Sequence, residues 1–175
     1  MKIKLIIAVF LSLIFFGFEV PAPSLKKVNK TIQSTYNIEK FSLKSVSLSK
    51  SINEQLSRKI NNESLFKIIS DNELIGYVYL DNAPSKTATF DFFVLFDANL
   101  IITKSKVLRY REEYGGEIGS KRWLKQFIGG TASDAFIPNN NIMAIAGATI
   151  SVNSMTKAIN EILVNIGKLE ELNVI

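Results

Sequence analysis

From Val152 onward apolar residues return every three or four positions, at Val152, Met155, Ile159, Ile162, Ile166 and Leu169, with Asn153, Lys157, Asn160, Glu161 and Lys168 between them. That spacing predicts an amphipathic helix that buries one stripe. Upstream the period falls to two. Thr87–Phe96 and Leu100–Tyr110 predict two strands joined through Asp97-Ala98-Asn99, and Ser64–Ser70 and Leu74–Leu80 predict a hairpin about Asp71-Asn72. Gly76, inside that hairpin, predicts a close approach of a neighbouring backbone. In Thr87–Phe96 one face carries Phe90, Phe92, Val94 and Phe96 and the other Phe93 and Leu95. A strand apolar on both faces must be covered on both, so it is central, with helices on at least one side. Nearer the front, Leu25, Val28 and Ile32 predict a short connecting helix over Ser24–Tyr36 capped by Ser24, Phe41–Leu48 a strand, and Ser51–Ile60 a short helix. Trp123, Leu124 and Phe127 form an apolar stripe on a helix Ser120–Ile128 and read first as core. The class this defines is α+β, an antiparallel-rich sheet packed with helices and preceded by an N-terminal hydrophobic anchor or signal helix.

That leading segment bears on location. Lys2 and Lys4 precede an apolar run from Leu5 to Phe18, broken only by Ser12 and Gly17, as in the first two regions of a secretory signal. Fourteen residues are short for a span, but Ile3 and Val20–Pro23 can extend it. Pro23 behind Ala22 disfavours cleavage there, and no cysteine is present for lipid attachment. The expectation is an uncleaved anchor with the domain on the extracytoplasmic or periplasmic side, since positive charge before the run favours that orientation; a secreted chain or a buried N-terminal helix are the alternatives. The organisation expected is 1–23 signal or anchor, 24–62 a connecting helical and strand segment, and 63–175 the functional domain. At 175 residues and 47% apolar content the chain supports one domain with a real core. It has neither His nor Cys, which excludes disulfides, thiolate nucleophiles, the usual zinc sites, iron–sulfur ligation and His-based triads. Redox chemistry must therefore come from a borrowed cofactor, and neither a catalytic residue nor a metal site is expected. The net charge of +5, with Lys26, Lys27 and Lys30 near the front and Lys121, Arg122 and Lys125 further on, reads as solubility and attraction to anionic lipid or a phosphate ligand rather than to nucleic acid.

Two stretches carry candidate chemistry. Ala146-Gly147-Ala148-Thr149 runs directly into the last helix. A helix start exposes unpaired N–H groups and the positive end of the macrodipole, small residues let a bulky anion reach the backbone, and Thr149 adds a hydroxyl. The same residues also suit an ordinary helix cap. Between sheet and seat lies Tyr114-Gly115-Gly116-Glu117-Ile118-Gly119-Ser120, whose glycines let a flat ring lie on the main chain, or serve a plain strand-to-helix turn. Tyr110 and Tyr114 flank the loop as ring partners, and Arg109, Arg111, Lys121 and Arg122 either supply positive charge to an anionic ligand or face solvent.

The stretch Ile142-Met-Ala-Ile-Ala-Gly-Ala-Thr-Ile-Ser151 resembles the flavin-attachment signature of the FMN-binding domain family, which includes the extracytoplasmic FMN subunits of the Rnf and Na+-translocating NADH:quinone oxidoreductase complexes. That family's motif, Asp-x-x-(Ser/Thr)-Gly-Ala-Thr, carries FMN through a phosphoester on its last residue, here Thr149. Gly147, Ala148 and Thr149 match; Met143 stands in place of the Asp and Ala146 in place of the Ser or Thr. Tyr110–Phe127 resembles the glycine-rich loop and helix of small stand-alone members, and with the preceding strands the resemblance covers about residues 64–170. It implies FMN as cofactor, a site made of Ala146–Thr149 and Tyr114–Ser120, and electron transfer rather than stand-alone catalysis, with a membrane redox complex and a flavin transferase as partners. The motif Asp is part of what that transferase recognises, so Met143 leaves covalent attachment open. A non-redox binding or regulatory module that has lost FMN is the alternative on the same fold.

Overall fold

The computed structural model describes residues 22–175; the apolar run Leu5–Phe18 lies outside them. Helix α1 (Ala22–Tyr36) leads into β1 (Ser42–Ser45), α2 (Lys50–Glu54), β2 (Leu65–Ser70), β3 (Glu73–Pro84), β4 (Thr89–Asp97), β5 (Ile102–Arg109), α3 (Lys121–Leu124) and the long α4 (Thr149–Glu171). The strands form one antiparallel sheet in sequence order, β1 to β5. Asp71 and Asn72 both hold positive φ, 50° and 67°, which sets the right-handed twist of a two-residue hairpin turn between β2 and β3. Gly76 on β3 lies opposite Asp97, and a Cβ there would stand 2.1 Å from the Phe96 carbonyl oxygen, so the predicted close approach is real.

The alternation of β4 decides how the layers stack. Phe90, Phe92, Val94 and Phe96 join Tyr77, Tyr79 and Ile102 in a core under α4, which contributes Val152, Met155, Ile159, Ile162, Ile166 and Leu169, all buried. Phe93 and Leu95 face the other way and pack with Val78, Leu80 and Leu108 beneath Val28 and Ile32 of α1. The strand is internal, with β3 rather than β4 in the middle of the sheet. Ile159 is fully buried on the inner side of α4, so Ile159→Ala is expected to cost about 2–5 kcal/mol in equilibrium unfolding while leaving the FMN affinity of the folded fraction unchanged.

Three helices differ from the sequence expectation. α1 already includes Ala22, the first residue described, so Ser24 lies within the helix rather than capping it. α2 stops at Glu54 instead of running to Ile60 because tertiary partners take the backbone groups that a longer helix would use. Asn53 bonds both the N–H and the C=O of Ile60, at 2.9 and 2.8 Å, and Asn165 of α4 accepts from Ser57 N at 3.0 Å and donates to Arg58 O at 2.5 Å. Arg58 itself reaches Asp81 on β3, Glu161 on α4 at 3.1 Å and the Asn82 carbonyl at 2.6 Å, pinning this loop across the sheet and the long helix. The predicted helix Ser120–Ile128 is α3 followed by a 3-10 turn over Lys125–Phe127. Among the described residues no helix is long and apolar enough to cross a membrane.

Candidate functional site

The site is assembled where α4 begins. Thr149 is the first residue of the helix rather than its cap; the cap position is Ala148, whose methyl group bonds nothing. Val152 N is the first N–H of the helix to find an acceptor, the Ala148 carbonyl at 2.9 Å, and those of Thr149, Ile150 and Ser151 have none among the described residues. No side chain caps this end, and three N–H groups with the positive end of a 23-residue helix remain open. Ala146, Gly147 and Thr149 are exposed, and the Thr149 hydroxyl has no hydrogen-bond partner in the described chain.

The glycine loop touches this seat directly. Gly115 is buried with φ +79°, and a Cβ on it would stand 2.4 Å from that of Ala148, so the close fit of loop to helix start depends on glycine here. Gly116 and Gly119 have no such need: a Cβ at Gly116 meets nothing within 4 Å, and at Gly119 only Val107 at 3.7 Å. Gly147 also holds positive φ, +75°, below Tyr114. Gly116–Gly119 form a 3-10 turn with Ile118 buried beneath it, and Ser120 then caps α3 by accepting from Trp123 N at 3.2 Å.

A cleft of about 310 Å³ opens beside the seat, lined by Glu117 and Ser120 of the loop, Arg122 and Trp123 of α3, and the strip Met143–Ala146. That is the lower end of the range of small-molecule sites. Its far wall is held by two bonds that sequence reasoning missed: Trp123 Nε1 donates to Met143 O at 2.8 Å, and Met143 N donates to Gln126 Oε1 at 2.8 Å. The backbone of Met143 is thus clamped while its side chain is 56% exposed. Nothing in the sequence announced the clamp beyond a lone tryptophan near the glycine loop.

The candidate ring partners divide. Tyr110 is tied into the fold, its ring edge-on to Phe90 at 5.8 Å and its hydroxyl 3.0 Å from that of Ser151, whereas Tyr114 is 71% exposed. Trp123 packs edge-on against Phe127 at 5.3 Å and is almost wholly buried, so it serves the core and the cleft wall together. Of the four basic candidates, Arg111 is taken by Asp91 at 2.6 Å and by the Thr89 carbonyl at 2.7 Å, and Arg122 lines the cleft. Lys121 opens onto a different cavity behind α3, and Arg109 is exposed.

An uncapped helix start with a free hydroxyl, a glycine cradle pressed against it and a part-apolar cleft alongside fit a phosphate-bearing ligand with a flat ring. Fold and site together define an α+β protein with an open seat for a phosphate-bearing ligand. Residues 86–164, which hold the loop, the cleft, the seat and most of α4, match the model of the FMN-binding domain family. The chain carries a domain of that family through those residues, and FMN is its cofactor. A search of curated proteins found no match.

Proposed function

We propose that the protein is an electron-transfer flavoprotein held at a membrane by its N-terminal apolar run, with the domain on the extracytoplasmic side. The observation that carries the site assignment is the start of α4, where an exposed Thr149 hydroxyl stands with three unpaired N–H groups. In this reading the N–H groups of Thr149, Ile150 and Ser151 take the FMN phosphate, and Thr149 Oγ1 is the attachment point where a flavin transferase acts. Ala146 and Gly147 leave room for the phosphate to reach the backbone, and Tyr114–Ser120 floor the ring. Arg122 places a cation at the cleft, where it favours a reduced, anionic ring. Trp123 and the Met143–Ala146 strip exclude water from one side, which together with that cation sets the potential. Bound FMN supplies the electron-carrying chemistry that a chain without His or Cys lacks. A membrane redox complex is the class of partner this reading requires.

The absorbance spectrum of protein isolated from a membrane fraction is expected to show flavin bands. Colourless protein that also fails to take up added FMN at micromolar concentration would sink the cofactor role. Met143, apolar and exposed where the motif has a carboxylate, favours the second reading, a non-redox module on the same fold. The two separate on redox titration: a bound flavin that is reduced and reoxidised reversibly supports the carrier, and an inert, flavin-free domain supports the module.

A further inference from the structure

The basic residues look scattered along the sequence, yet the fold gathers them. Lys27 and Lys30 on α1, Lys104 and Lys106 on β5, Lys121 on α3 and Lys125 just after it converge at the β5 edge of the sheet. Lys106 Nζ lies 3.4 Å from Thr31 Oγ1 on α1, and Lys27 Nζ donates to the Leu108 carbonyl on β5 at 3.3 Å, so the two elements share one surface. Four of the lysines, 104, 106, 121 and 125, line a cavity of about 260 Å³ with Ile128, itself 49% exposed, at its rim. None of the six forms an ion pair among the described residues. Neither α1, nor β5, nor residues 121–127 contain an Asp or Glu. Burial first, then the charges of Lys27, Lys104, Lys121 and Lys30, pull the Lys106 ammonium below the ordinary amine range. Like charges massed without counter-charge oppose compactness, and an anionic partner relieves that repulsion.

We propose that this lysine face is a docking surface for the phosphate headgroups of an anionic lipid bilayer, which rests on the reading that the N-terminal run holds the chain at a membrane. Two features favour lipid over a soluble acidic protein. The apolar run ends at Phe18, and Lys27 and Lys30 of α1 follow nine and twelve residues later, close behind the segment assigned to the bilayer. An exposed isoleucine beside long-stemmed ammonium groups also suits an interface where apolar and charged layers meet.

The test is lysine footprinting of the full chain with an amine-reactive label, read residue by residue by mass spectrometry. The chain is presented to vesicles of phosphatidylcholine alone and to vesicles with phosphatidylglycerol added, and flotation is scored in parallel. Lys50 and Lys157, with side chains 92% and 77% exposed, serve as internal references. Labelling of Lys104, Lys106, Lys121 and Lys125 is expected to slow several-fold on phosphatidylglycerol vesicles, with the references unchanged, and to recover at about 1 M salt, where the screening length falls to about 3 Å. Equal labelling on both vesicles while the chain floats with each overturns the docking face and leaves the membrane reading standing. Failure to float with neutral vesicles overturns the membrane reading, and protection on phosphatidylglycerol vesicles then still supports the face. Protection of the same four lysines by inorganic pyrophosphate without lipid marks a site for soluble anions and overturns the lipid assignment.

Discussion

Gly115→Ala is expected to weaken FMN binding at least about tenfold, or about 1.4 kcal/mol, and to lower the melting temperature by several degrees. The residue holds φ +79°, a conformation that costs a side-chain-bearing residue about 1–3 kcal/mol, and its new methyl would stand 2.4 Å from the Cβ of Ala148. Relief comes only by moving the loop off the start of α4, which separates the floor of the site from its phosphate seat. Gly116→Ala is the matched control. Nothing lies within 4 Å of a Cβ there and φ is not positive, so stability should hold within about 0.5 kcal/mol and FMN affinity within about twofold. Melting curves and FMN titration of both variants decide the matter. Should Gly115→Ala lose stability yet bind FMN as the parent does, the contact between loop and helix is packing alone. Gly147→Val is a poorer probe, because φ +75° at that position adds backbone strain to any steric exclusion of phosphate.

Local pattern revealed the elements, and non-local contact hid their purpose. The two faces of β4 were legible because a period of two with aromatics on both sides has one structural solution, and α4 because its stripe persists for five turns. The Asp71-Asn72 turn announced itself through residues that tolerate positive φ. By contrast, Val28 and Ile32 gave a helix but not its seat on the second face of the sheet, since periodicity marks an apolar stripe without naming what covers it. The length of α2 was settled by Asn53 gripping Ile60 and by Asn165, more than a hundred residues away, the latter a contact no window along the chain contains. Within the site, the Gly-Ala-Thr step and the glycine loop stood out separately. That Gly115 presses on Ala148 and that Trp123 and Gln126 grip Met143 follows only from the path of residues 129–148, which is irregular and gives no periodic signal. Of the lysine face, Lys27, Lys30, Lys121 and Lys125 and an attraction to anionic lipid were legible, whereas Lys104, Lys106 and the gathering of all six from three elements far apart in sequence were not.

Met143→Asp is expected to raise the fraction of chains carrying flavin that survives denaturation when a flavin transferase is co-expressed, and Thr149→Val in either background is expected to reduce that fraction to zero. The structure makes the first substitution a clean one. The bonds that hold residue 143 come from its backbone N–H and C=O, so the side chain can change without loosening Trp123 or Gln126, and at 56% exposure a carboxylate there remains hydrated. Stability should therefore shift by no more than about 0.5 kcal/mol. Thr149→Val keeps the branched shape on the first turn of α4 and removes only the oxygen, which has no partner in the described chain whose loss would disturb the fold. Intact mass and in-gel fluorescence after denaturation measure the attached fraction, while absorbance before denaturation measures total flavin. If Thr149→Val keeps its total flavin and loses only the part that resists denaturant, the hydroxyl is the linkage and the helix start is the binding site. Denaturant-resistant flavin that persists in Thr149→Val would move the linkage to another residue. Flavin that washes out of both the parent and Met143→Asp would make the domain a non-covalent FMN binder, with the three open N–H groups of α4 rather than an ester holding the phosphate.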